Sequence, residues 1–246
     1  MPIQKRPRLL AVLALAAGLL LAPASLSAPP NAPNVNGKVS GFDKISLDVY
    51  QEAAKVESRR WTWREPSPLV GAQFRSLALD PPRDVCVVAL SSGGGSAMDP
   101  VAMKIVGGRI QPSTIVVSPG TKLVFKNHDP FPHKLFTASA NGGWKAEVTL
   151  SNTTRQWTAP SGENTFEFRD ELSPSVRGYV VVHPQAVVLT YPAKDGAFHF
   201  NLQPGEYVIQ AWAGKKTTKA AQVAVKGARV VDIKDALNLA EGADAK

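Results

Sequence analysis

Between Ile110 and Val182 the chain runs in short stretches whose apolar side chains recur at every second position. Ile115 is matched in this way with Val117, Leu123 with Phe125, Phe166 with Phe168 and Val180 with Val182. Successive side chains of a strand point to opposite faces, so each pair predicts two apolar groups on one face of a strand. Pro119-Gly120, Asn127, Asp129, Pro130 and Pro132 punctuate these stretches; such residues either pre-set or tolerate the backbone angles of turns. Short alternating strands between turns of this kind predict an all-β sandwich. The run Val85 to Leu90 differs, because Val85, Val87 and Ala89 are apolar and so are Cys86, Val88 and Leu90. That pattern predicts a central strand covered on both faces.

The features between 110 and 182 also fall in a particular order: a strand, Pro119-Gly120, a second strand, Asn127 and Asp129, then His133. A late aromatic strand, Thr165 to Phe168, closes on Gly178, Val180 and Val182. In this order the stretch resembles the cupredoxins, the plastocyanin and azurin sandwich that holds one copper. The resemblance implies one His ligand after the Asn-x-Asp strand, with Cys, His and Met ligands on a loop before the last strand. Pro174 and Gly178 anchor that loop here, which sets Asp170 at the Cys position, Ser173 at the second His and Val176 at the Met. His133 alone is retained. Blue copper depends on a thiolate and two imidazoles with a weak axial ligand, so the expectation is a cupredoxin-like fold with a degenerate copper site, no copper and no other cofactor.

After Val182 the strand signals change. Residues 186 to 191 read as a strand, Asp195-Gly196 as a turn, Phe198 and Phe200 as an alternating pair around His199, and Pro204-Gly205 as a turn before Tyr207, Ile209 and Ala211. This segment resembles the carboxypeptidase regulatory-like, transthyretin-like sandwich, whose early strands would come from Gly37 to Leu90. The architecture expected is therefore a cupredoxin-like Greek-key sandwich, residues 98–184, inserted into a discontinuous second sandwich made of residues 29–97 and 185–240. Gly93 to Gly95 read as a flexible joint at one crossing, and Val182-His183-Pro184 as a tight one. Lys234 to Leu239 allow a helical turn, and residues 241–246 read as a frayed tail.

Residues 1–28 read as a signal peptide rather than as structure: Lys5, Arg6 and Arg8 precede an apolar run from Leu9 to Leu21 and the small-residue sites Ala22-Pro-Ala24 and Leu26-Ser-Ala28. The run is short for a membrane span, so a periplasmic or secreted protein is expected rather than an integral membrane protein. The whole chain carries a formal charge of +8, and removing those three cations leaves 25 basic against 20 acidic side chains, or +5. That is mildly basic and unlike the clustered charge of a nucleic-acid binder. A single cysteine, Cys86, excludes an internal disulfide, and its apolar neighbours predict a buried, inert thiol.

The remaining chemistry is sparse. His128, Asp129 and His133 share one proline-rich loop, which admits a weak metal site, although the spacing matches no standard zinc pattern. Trp61 and Trp63 alternate with Arg60 and Arg64; with Trp144 they form a possible binding surface, against which stands a half-buried strand with a solvated cationic face. No Gly-x-Ser-x-Gly elbow, phosphate-binding glycine loop or His-Glu-x-x-His occurs. The function expected is therefore that of a non-catalytic exported β-protein, a binding or scaffold component with a protein partner in the cell envelope. A copper-binding or electron-transfer cupredoxin and a glycan-binding module are the alternatives.

Overall fold

A computed structural model describes residues 33–45, 79–139, 141–173, 176–227 and 229–244. The signal segment, the Leu47 and Val49 alternation and the Arg60-Trp61-Thr-Trp63-Arg64 motif lie outside the described residues.

The protein is all-β. The chain enters at β1 (Val35–Ser40) and, beyond a single helical turn at Pro81–Asp84, continues through β2 (Val85–Ser91), β3 (Val101–Ile105), β4 (Ile110–Gln111), β5 (Thr114–Val117) and β6 (Lys122–Asn127). There follow β7 (Leu135–Phe136), β8 (Thr154–Thr158), β9 (Asn164–Asp170), β10 (Arg177–Val182), β11 (Ala186–Thr190), β12 (Ala197–Phe200) and β13 (Gly205–Ala213). Five short strands complete the chain: β14 (Lys216–Thr217), β15 (Ala221–Val225), β16 (Val231–Asp232), β17 (Leu237–Asn238) and β18 (Ala243–Asp244).

The sheets separate by sequence. Strands β3 to β10 pair only among themselves, in the sheets β4-β3-β6-β8 and β5-β10-β9-β7. The flanking segments make the other two: β12-β1-β16 with β17 also on β1, and β11-β2-β13-β14-β18 with β15 also on β13. All eight residues of the four alternating pairs, Ile115, Val117, Leu123, Phe125, Phe166, Phe168, Val180 and Val182, meet in one core between the first two sheets. Phe125 and Phe168 face each other there with ring centroids 4.9 Å apart. The flanking sandwich has its own core, in which Val85, Val87 and Ala89 of β2 meet Ile209 and Ala211 of β13 and Phe198 and Phe200 of β12.

The second face of β2 is covered by the inserted sandwich itself. Cys86, Val88, Leu90 and Trp212 pack against Val116 of β5 and Val181 of β10, so the sheets containing β2 and β5 lie back to back. Polar bonds fasten the same junction. Ser113 Oγ donates to Asp84 Oδ1 at 2.8 Å, Ser113 N donates to Arg83 O at 2.9 Å, and Gly214 N donates to Thr114 Oγ1 at 2.8 Å.

Three local expectations are corrected. The glycine joint is packed: Gly95 N donates to Pro184 O at 2.8 Å, and a Cβ at Gly95 would stand 1.8 Å from Ala186 O, so glycine is required for close approach rather than for freedom. The helical turn expected at 234–239 is instead β17, parallel to β1, followed by a 3-10 turn at Leu239–Glu241. Part of the expected frayed tail is ordered, because Ala243 and Asp244 pair with Thr217 and Lys216 at the open edge of β14. A short edge strand takes its order from backbone pairing, which leaves no apolar alternation to read.

Candidate functional site

The site lies at the end of the inserted sandwich where β3, β6 and β9 finish and β8 and β10 begin. His133 is fully buried there and faces two carboxylates. Its Nδ1 contacts Asp170 Oδ2, and its Nε2 lies 3.1 Å from Asp129 Oδ2.

Each carboxylate is solvated by backbone in place of water. The turn between β3 and β4 is a two-residue hairpin, Val106 and Arg109 exchanging both backbone bonds around Gly107 and Gly108. Both glycines take left-handed angles, φ 61° and 67°, which a side chain would strain. Successive amides in this conformation form a concave anion cradle. Gly107 N donates to Asp129 Oδ1 at 2.6 Å and Gly108 N to Asp129 Oδ2 at 2.9 Å. Asp170, at the end of β9, accepts at Oδ1 from Lys134 N and Leu172 N, each at 2.9 Å.

The loop that presents His133 is held by Asn127. Asn127 Oδ1 accepts from Asp129 N at 2.8 Å, an Asx turn, while its amide donates to Phe131 O at 2.9 Å and Thr149 O at 3.1 Å. His133 also exchanges both backbone bonds with Thr149, at 3.0 and 2.7 Å. Phe131 lies over the imidazole with ring centroids 5.1 Å apart.

The electrostatics follow from this arrangement. Burial disfavours the imidazolium, but the bonds and charges of Asp170 and Asp129 outweigh it and raise the His133 pKa above its ordinary 6.5. Burial alone would raise Asp129; the amides of Gly108 and Gly107, together with His133, hold it below 3.8 instead. Asp170 is likewise held below 3.8 against its burial, by His133 and by the amides of Lys134 and Leu172. The group is a buried carboxylate–imidazolium–carboxylate bridge that ties the β3–β4 turn, the β6–β7 loop and the end of β9 together.

The residues set by resemblance at copper positions do not fit that metal. An imidazole binds a metal through a deprotonated nitrogen, and both nitrogens of His133 are turned to carboxylates. Val176 points into the sandwich core, and Ser173 accepts Val176 N through its backbone at 2.8 Å. Cys86 lies in the separate core between the sandwiches, where burial pushes its thiol up to about 12. Of the expected His128, Asp129 and His133 trio only the last two meet, since His128 is exposed. Among the described residues no group of three or more His, Cys, Asp or Glu side chains is arranged to hold a metal ion.

Trp144 is half-buried against the core, its centroid 5.3 Å from Phe125 and 5.7 Å from Phe168, with the Arg155 guanidinium 3.9 Å from its ring. Its ring is committed to packing; the other residues of the possible binding surface, Arg60, Trp61, Trp63 and Arg64, lie outside the described residues. His199 points outward between buried Phe198 and Phe200, as their alternation predicts. His183 is half-buried at the junction, and its Nδ1 accepts from Gln185 N at 3.2 Å. The residues that sequence reasoning missed are Gly107, Gly108 and Thr149. An adjacent Gly-Gly pair before a strand was a hairpin signal; nothing in the sequence marks Thr149.

No family model matches the chain, and no curated protein matches it. Solved structures do. The Cu(I) form of an amicyanin variant is 15% identical over 41% of this chain and 99% of its own, with a TM-score of 0.33. A second, reduced amicyanin variant is 16% identical over 39% of this chain and 98% of its own, at 0.32. The copper-containing nitrite reductase of Thermus scotoductus SA-01 is 18% identical over 34% of this chain, at 0.32, and the match spans only 22% of that enzyme.

Proposed function

We propose that the chain is an exported, non-catalytic binding component of the cell envelope, in which the inserted sandwich presents one end to a partner and His133 holds that end together from within. The observation that carries this reading is the double engagement of His133. With each ring nitrogen on a carboxylate, the imidazole offers no lone pair to copper and no free proton acceptor to a substrate. The same bridge orders three loops at once, as a preformed binding surface requires.

One further observation supports it. Of the six large hydrophobic side chains exposed among the described residues, Phe131 and Leu172 belong to these loops, and Val148 and Leu150 flank Thr149, whose backbone is bonded to that of His133. No helix among the described residues is long and apolar enough to cross a membrane. The electron-transfer alternative requires a thiolate on the metal, and the only thiol belongs to a different core.

Fractionation of the native host tests this reading. A tagged full-length chain is expected to lose residues before Ser25 or Pro29 and to co-sediment with the envelope, and a Phe131→Ser/Leu150→Ser variant is expected to be released. Recovery of both forms entirely in the soluble periplasmic or culture fraction would sink the proposal.

A further inference from the structure

We infer that the partner of this end is the surface of an anionic phospholipid bilayer. The inference rests on the binding role proposed above and names what is bound.

The apolar part of the surface comes from three separate loops. Phe131 is 44% exposed, Val148 56%, Leu150 60% and Leu172 51%. Each lies within two residues of the bridge or its direct supports: Phe131 precedes His133, Val148 and Leu150 flank Thr149, and Leu172 follows Asp170. Neither of two clefts elsewhere, one between β15 and β17 and one beside β3 and β11, is lined by any of the four. A protein partner draws most of its affinity from anchors seated in pockets. A bilayer accepts apolar side chains from isolated tips into its interfacial zone and needs no pocket.

Near these tips one sheet face carries lysines with no carboxylate among its described neighbours. Lys104 on β3 and Lys126 on β6 stand directly opposite each other in the parallel ladder and are both exposed. Like charges at opposed positions destabilise a sheet, so this pair opposes folding unless an anion meets it. Among the described residues no carboxylate does so from the same face. Their cross-strand neighbours are Gln111 and Thr154, and Ala102, Val124 and Gln156 continue that face with neutral side chains.

The carboxylates of the loops are already engaged. Glu171 pairs with Lys134 at 2.6 Å, Glu147 pairs with Arg155 at 3.3 Å, and Asp129 and Asp170 are buried on His133. The lysines also adjoin the tips through short connections. Asn127, which follows Lys126, holds Phe131 O and Thr149 O, and Ile105, which follows Lys104, accepts from His128 N at 2.8 Å. Apolar tips backed by a cationic sheet face suit a headgroup layer of negative charge, where each lysine adds attraction that salt screens.

The test is co-sedimentation of the purified mature chain with vesicles of phosphatidylcholine alone and of phosphatidylcholine mixed with phosphatidylglycerol. Binding to the mixed vesicles is expected, weakening as salt is raised, with little binding to phosphatidylcholine alone. Lys104→Gln and Lys126→Gln should each weaken binding about fivefold, and Phe131→Ser/Leu150→Ser should abolish it. All the variants should keep the wild-type thermal midpoint within a few degrees. Failure to sediment with phosphatidylglycerol vesicles at low salt overturns the inference, as does binding indifferent to both sets of substitutions. Envelope retention in cells without vesicle binding would overturn the lipid assignment while leaving the binding role intact, with a protein as the partner.

Discussion

Replacing His133 with alanine removes the cation from between two carboxylates that are 4% and 3% exposed, Asp129 and Asp170. Breaking a buried ion pair from one side costs about 3–5 kcal/mol, because the remaining charge is left in a poor solvent. Here two charges remain, but each keeps two backbone N–H donors, which places the expected loss near the lower end, about 3 kcal/mol. The pH dependence separates this from a simple cavity. His133 has its folded pKa raised above 6.5, so its contribution is complete below 6.5 and is lost as pH rises through the folded value. Asp129 and Asp170 have folded values below 3.8, so their contribution is present above 3.8 and is lost as pH falls through those values. The wild-type bridge is therefore worth most between 3.8 and 6.5. In the alanine variant burial is no longer opposed by a cation, the carboxylate pKa values move up, and the variant gains stability as pH falls below neutral. Urea unfolding followed by tryptophan fluorescence, from below pH 3.8 to well above 6.5, should show a wild-type advantage greatest inside that window and smaller on either side. A loss below ~1 kcal/mol, or one independent of pH, would refute the assignment of His133 as a buried cation.

Phe168→Ala should cost about 3–5 kcal/mol in the same assay, since the ring is fully buried and packed against Phe125, Trp144 and Trp157; a loss below ~1 kcal/mol would contradict the core assignment. Cu(II) added to the purified chain should produce no intense thiolate-to-copper band in the visible spectrum, because the Cys86 thiol is buried between the sandwiches and held up at about 12. A deep blue colour at one copper per chain would restore the electron-transfer alternative.

Period-two alternation was enough to find the core of the inserted sandwich, because a strand with one wet face has to write its buried face at every second position. Ile115, Leu123, Phe166 and Val180 with their partners are legible for that reason. Val85 to Leu90 announced two covered faces with equal clarity, yet nothing local could say that the second cover is Val116 and Val181. That information lies in how two sheets dock, and each sheet's apolar face is compatible with many partners. The opposition of Lys104 and Lys126 was hidden for a related reason: the register between β3 and β6 joins residues on either side of a hairpin and another strand. Ala243 and Asp244 carry no apolar pattern, so their pairing with β14 could be found only in three dimensions.

The bridge at His133 occupies an intermediate position. Resemblance set His133 and Asp170 at two ligand positions of one copper centre, and in the fold the two side chains do meet. What the comparison of residue types could not supply was the third member, because Asp129 faces His133 only once the Gly107-Gly108 hairpin has turned its amides toward the carboxylate. A copper centre gathers loops around a cation supplied from outside. Here the gathering cation is the chain's own imidazolium, and the ligands around it are carboxylates where the metal would have needed sulfur and nitrogen. The bridge fastens the β3–β4 turn, the β6–β7 loop and the end of β9, and the backbone bonds of His133 to Thr149 hold the segment that carries Leu150. The order of those loops should therefore depend on pH through His133.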